Sequence, residues 1–182
     1  MEKEWNLVEV LRHSRHDWLN KIQLIKGNIA MNRIERAMEI IDEIVYESRE
    51  EAKLSNMNIP QFAAFILCSN WADYYFQTEY EVLNDSKVNH LDDSLLTEWT
   101  KVFFTCLHTS VKAFYHNHLF LSLEPLPEGV RFFFDFRGII EDKEKISQFL
   151  QSKQTKKLQV EVQEMSNEEL VLKFFVPYRS CE

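Results

Sequence analysis

Two apolar stripes in the first third of the chain restrict what it can fold into. Val8, Leu11, Trp18, Ile22, Ile25 and Ile29 recur at steps of three, seven, four, three and four, and Arg15 holds the middle of the seven-residue step. That spacing follows the 3.6-residue helical turn and predicts a helix packed along one face in a bundle. Ile34, Met38, Ile41, Val45, Ser48 and Ala52 repeat the pattern, and no Gly or Pro interrupts residues 33–54. A turn near Met31-Asn32, with Gly27 and Asn28 loosening the preceding helix end, divides a first helix (Trp5–Asn28) from a second (Arg33–Leu54). A two-helix hairpin has little core of its own. Both stripes are covered most economically when two hairpins from two chains form a four-helix bundle, so a homodimer is expected.

The period changes after Ser55-Asn56-Met57-Asn58-Ile59-Pro60, which sets domains at 1–56 and 57–182. Pro60 suits the first turn of a following helix, expected over Gln61–Gln77. Glu79–Leu83 reads as a strand and Ser94–Tyr115 as a helix. His118–Leu123 and Val130–Phe136 read as strands joined through Pro125–Gly129, and Glu141–Gln151 as a short helix. Leu158–Val162 and Leu170–Val176 are the last strands. Helices over one face of a mixed sheet make this part an α/β sandwich, and the chain as a whole α+β.

Composition excludes several classes. A net charge of −8 with a pI near 5.3 argues against nucleic acid as partner, because phosphate backbones need clustered Lys and Arg. No apolar run approaches the roughly 20 residues of a membrane span. The charged N-terminus lacks the apolar core of a signal peptide, so the cytoplasm is the expected location. The three cysteines (Cys68, Cys106, Cys181) show no zinc or disulfide spacing; Cys68 and Cys106 read as buried thiols. Against the acidic whole, residues 3–28 carry five Lys/Arg and three acids, a locally basic helix suited to steering an acidic protein partner.

That helix carries the candidate reacting group. His16 follows a seam position and turns about 100° away from the stripe. A neutral imidazole offers a nitrogen lone pair that can attack phosphorus, and phosphoryl transfer asks mainly for position and charge compensation. Arg15 is a candidate to balance phosphate charge. Asp17 is a candidate to hold the second ring nitrogen, and Asn20, one turn on, to bond phosphate or partner. Lys21 is a further supporting candidate. His13 and His16 are too few to hold a metal. His90, His108, His116 and His118 read as structural or surface residues, and the Phe-rich stretches as core strands.

Arg15-His16-Asp17-x-x-Asn20 resembles the phospho-acceptor box of sensor histidine kinases. The longer run Leu11–Asn28, with Glu50–Asn56 and Glu79–Leu83, resembles the sporulation initiation phosphotransferase B family. The resemblance implies a phosphotransferase that accepts a phosphoryl group at His16 from the aspartate of one receiver protein. It would pass the group to the aspartate of a second receiver, a transcription regulator of sporulation. It implies a dimeric four-helix bundle, response-regulator partners as donor and acceptor, and no cofactor bound by this chain; Mg2+ is expected on the receiver. The second domain resembles a kinase ATP-binding domain without its nucleotide motifs. Thr105 and Thr109 stand where an Asn pair is expected, and Asp135-Phe136-Arg137-Gly138 keeps only an Asp and one Gly of the first glycine loop. The alternative is a non-catalytic interaction protein that binds response regulators on a kinase-like scaffold.

Overall fold

The structure is a computed structural model that describes residues 5–84, 88, 91–152 and 158–179. Cys181 and His90 lie outside the described residues. The chain forms two compact units, Met1–Ala52 and Lys53–Glu182.

The first unit is a helical hairpin of α1 (Leu7–Ala30) and most of α2 (Ile34–Asn56). Asn6 starts α1 with a capping box: its side chain accepts from the Glu9 amide at 3.0 Å, and the Glu9 carboxylate accepts from the Asn6 amide at 3.3 Å. Asn32 makes the turn at φ 56°, a left-handed conformation that Asn tolerates better than other side chains. Gly27 therefore does not loosen the helix end, as its position had suggested; it lies inside α1. The hairpin has almost no core. No residue of α1 is buried, and Ala37 and Ile40 are the buried apolar side chains described for this unit.

The second unit is a five-stranded sheet under helices. Its elements run α3 (Pro60–Cys68), a 3-10 turn (Ser69–Trp71), β1 (Gln77–Val82), α4 (Asp93–His108), β2 (His118–Leu126), β3 (Gly129–Arg137), α5 (Lys143–Ser152), β4 (Gln159–Met165) and β5 (Glu169–Pro177). The strand order is β1-β2-β3-β5-β4. β1 runs parallel to β2 and the other pairs are antiparallel, so the sheet is mixed, as expected. Alternation sets the faces. Leu119, Leu121 and Leu123, then Val130, Phe132, Phe134 and Phe136, then Leu170, Leu172, Phe174 and Val176 are all buried. The helices lie on that face: Phe62 of α3 meets Phe132 edge-on at 5.4 Å, Trp99 of α4 stacks on Phe174 at 4.4 Å, and Phe149 of α5 meets Trp99 at 5.6 Å. The opposite face carries half-buried residues pinned by ion pairs such as Arg131–Glu124 at 2.8 Å.

Two helices end sooner than their apolar runs suggest. The helix expected over Gln61–Gln77 stops at Cys68, and Tyr74 and Phe76 leave it to stack on each other at 5.2 Å and meet Phe104 edge-on. The helix expected over Ser94–Tyr115 stops at His108. Beyond it Ser110 is buried, its carbonyl accepts from the Glu141 and Asp142 amides, and Val111 pairs with Ile140. In both places a partner distant in sequence offers the backbone or ring more than another helical turn would.

Candidate functional site

The capping box anchors α1 and leaves His16 well inside the helix, where its backbone is fully hydrogen-bonded and its ring direction is set by the helix. The side chain is 71% exposed. Its Nδ1 lies 3.4 Å from the Asp17 carboxylate and 3.3 Å from the Asn20 side-chain amide. The Nε2 atom has no hydrogen-bond partner among the described residues.

The two contacts at Nδ1 ask for different tautomers. A carboxylate accepts from Nδ1–H and leaves the lone pair on Nε2; an amide NH2 needs a bare Nδ1. The carboxylate contact is charge-assisted and the stronger of the two, and a half-turn of the Asn20 amide presents its oxygen to the same proton. Both distances are long for hydrogen bonds, so the ring is steered rather than clamped in the free protein.

The other two candidates lie elsewhere. Arg15 is exposed, but one residue of helix turns it about 100° from His16, toward the apolar seam. Lys21 is engaged across the hairpin: its ammonium pairs with Glu47 of α2 and lies 6.0 Å from the Trp18 ring centroid. A basic residue that the sequence reading missed shares the His16 face. Arg12, one turn earlier, is exposed and has no ion-pair partner among the described residues; the four-residue spacing was the signal that would have found it.

In the second unit, the positions that resemble a nucleotide site are committed to the fold. The Thr105 hydroxyl donates to the Lys101 carbonyl at 3.0 Å, and the Thr109 hydroxyl to the Thr105 and Cys106 carbonyls, also at 3.0 Å. Asp135 is bonded by Arg137 at 2.9 Å. Gly138 packs against the Asn117 side chain, which a Cβ at that position would strike. Asn117 is 4% exposed and ties three segments together. It donates to the Tyr75 carbonyl at 2.7 Å and the Lys112 carbonyl at 2.8 Å, and accepts from the Ile139 amide at 3.0 Å. Beside it opens a cleft of about 650 Å³ lined by Tyr75, Phe114, Tyr115 and His116 among others. His108 borders Tyr75, whose amide donates to its Nδ1 at 3.2 Å, and burial holds its pKa below the usual imidazole value.

Cys68 and Cys106 are buried free thiols, and burial raises the pKa of both. Among the described residues, no group of three or more His, Cys, Asp or Glu side chains is placed to hold a metal ion. No helix described is long and apolar enough to cross a membrane.

Comparison with known proteins gives the lineage. Residues 1–57 match the family model "Sensor kinase SpoOB-type, alpha-helical domain", and residues 58–177 match "Sporulation initiation phospho-transferase B, C-terminal". The chain is 37% identical over 138 residues to the sporulation initiation phosphotransferase B of Bacillus subtilis (strain 168), covering 75% of this chain and 72% of the relative. Similar solved structures include the catalytic domain of histidine kinase ThkA, with a TM-score of 0.48 and 12% identity over 68% of this chain and 93% of that one. A bacterial phosphotransferase matches with a TM-score of 0.44 and 11% identity over 94% and 98%. With both of its units matched by the family models, and with a relative of that identity along most of its length, the chain belongs to the sporulation initiation phosphotransferase B family.

Proposed function

We propose that this chain is a histidine phosphotransferase of a sporulation phosphorelay, acting as a homodimer between two response-regulator receivers in the cytoplasm. The observation that carries the reading is the His16 ring: exposed, with Nδ1 facing Asp17 and Nε2 open. A donor receiver brings its aspartyl phosphate to α1. The Nε2 lone pair attacks phosphorus in line, the P–N bond forms, and the P–O bond to the donor aspartate breaks with its electron pair, regenerating the carboxylate. Nδ1 keeps its proton, so the phosphorylated ring is an imidazolium, and Asp17 offsets its charge. The acceptor's aspartate then attacks the same phosphorus and the P–N bond breaks, returning the lone pair to Nε2. The receiver supplies the Mg2+. Arg12, Arg15 and Asn20 are the candidate contacts to phosphate or partner.

The apolar seam supports the dimer. Val8, Leu11, Trp18, Ile22, Ile29, Ile34, Met38, Ile41 and Val45 are each 36–65% exposed in the single hairpin. Covering the remaining surface contributes roughly 1 kcal/mol per side chain.

The test is transfer from a radiolabelled, phosphorylated receiver to the wild-type chain and to His16→Gln. Acid-labile label is expected on the wild type and none on the variant, with the dimer intact in both. Label retained by His16→Gln would refute the assignment. A wild-type chain that binds receivers and never takes up label would favour the non-catalytic interaction protein.

A further inference from the structure

Phe114 is held in a conformation that does not suit it. It lies between α4 and β2 at φ 57°, a left-handed backbone that is disfavoured for a bulky side chain. Burial does not offset the strain, because the residue is 95% exposed. Glycine or asparagine would take this conformation more easily. A strained backbone that presents a phenyl ring to solvent points to a use for the ring.

The ring lines the cleft of about 650 Å³ beside Asn117, a size typical of small-molecule sites. Its centroid is 5.4 Å from that of Tyr75, which is 37% exposed, and Tyr115, 50% exposed, lines the cleft as well. The Asn117 side chain bonds the Tyr75 and Lys112 carbonyls and so fixes the two segments that carry these rings. Thr105, Thr109, Asp135 and Gly138 are not among the described residues that line the cleft, so it is distinct from the positions that resemble a nucleotide site.

The chemistry of the cleft selects for a cation. Aromatic faces attract positive charge through the ring quadrupole, and the Lys112 ammonium already lies 5.7 Å from the Tyr115 centroid. Asp73 is the one carboxylate among the described lining residues. His108 stands against Tyr75, and burial lowers its pKa, so it adds no positive charge near neutral pH. Acceptors are scarce. The Asn117 oxygen and the Tyr75 and Lys112 carbonyls already hold donors. A cation with several N–H groups would leave some of them unmet, at a cost in affinity. A fully alkylated nitrogen has none to satisfy.

We propose that this cleft binds a small alkylated ammonium ion of the choline class, with Tyr75, Phe114 and Tyr115 supplying ring faces and Asp73 the opposing charge. The site belongs to the second unit and does not rest on the phosphotransfer reading.

The probe is choline, titrated into the full chain near neutral pH and followed by the chemical shifts of the cleft residues. Neohexanol serves as its uncharged isostere and ethanolamine as its primary-ammonium counterpart. Saturable shifts at Tyr75 and Phe114 are expected, with a Kd of about 1 mM or below. Neohexanol and ethanolamine should each bind at least about fivefold more weakly. Phe114→Asn is expected to weaken choline binding by about five- to thirtyfold and to leave Tm equal or higher, since asparagine tolerates the left-handed backbone. Asp73→Asn should weaken binding by several-fold. The absence of saturable shifts at the cleft up to about 20 mM choline would overturn the proposal. So would equal affinity for neohexanol or ethanolamine, or an unchanged Kd in Phe114→Asn. Saturation by a peptide containing Lys or Arg, but not by choline, would also overturn it, since the cation would then belong to a protein partner.

Discussion

Replacing Asn117 by alanine tests how the second unit is held together. Asn117 is 4% exposed and its side chain makes three hydrogen bonds, at 2.7, 2.8 and 3.0 Å, to the segments before β1, before β2 and after β3. Alanine leaves the Tyr75 and Lys112 carbonyls and the Ile139 amide without these partners. Each buried group left unsatisfied costs about 1–3 kcal/mol. The cleft beside Asn117 admits water to part of the region, which favours the lower end, so the sum is roughly 3–5 kcal/mol. Asn117→Asp should cost at least as much, because a carboxylate cannot donate to two carbonyls. The assay is urea unfolding of the full chain, read by amide exchange of sheet residues such as Leu121 and Phe134, which reports the second unit alone. His16 belongs to the other unit and its phosphorylation should be unchanged well below the unfolding transition. A destabilisation under about 1 kcal/mol would refute the clasp, since the three bonds would then contribute less than one ordinary hydrogen bond.

Ile22→Lys places a charge in the middle of the seam, where the native side chain is 53% exposed in the single hairpin; counted over two chains the dimer should weaken by about 3 kcal/mol, raising Kd at least about a hundredfold by sedimentation. Asp17→Asn keeps the side chain's size and removes the charge beside Nδ1; transfer should fall by roughly ten- to a hundredfold in single-turnover assays, with the dimer unaffected. The pKa of His108 is lowered by burial, against an opposing pull from Asp73. The unfolded chain therefore binds the proton more readily, so stability is fully present above about pH 6.5 and is lost as pH falls through the lower folded value. In His108→Gln the slope of Tm against pH over that window should flatten.

Much of the fold was legible in short stretches of sequence. The hairpin and its seams follow from the three- and four-residue spacing of Val8 to Ile29 and Ile34 to Ala52. β2, β3 and β5 follow from the short apolar, Phe-rich runs around Leu119–Leu123, Val130–Phe136 and Leu170–Val176; which side of each is buried is set by the sheet. At the site, the one-residue offset of His16 from the seam and the four-residue step to Asn20 were enough to place Asp17 and Asn20 beside the ring. The pairing of Lys21 with Glu47 was not legible, because Glu47 is far along the chain. Arg12 was overlooked although the same arithmetic reached it.

What a single stretch determines is whichever property repeats within one or two turns: helix, strand, and which side of each helix is apolar. The early ends of α3 and α4, the parallel pairing of β1 with β2 and the Asn117 clasp belong to the tertiary structure. Each is set by backbone groups or rings that meet across dozens of residues, such as Ser110 with Glu141 and Asp142, and Tyr74 with Phe104. Local propensity differences of a few tenths of a kcal/mol per residue are outweighed by one buried hydrogen bond or one packed ring. An element's identity was therefore readable from its residues, while its end point waited for its neighbours.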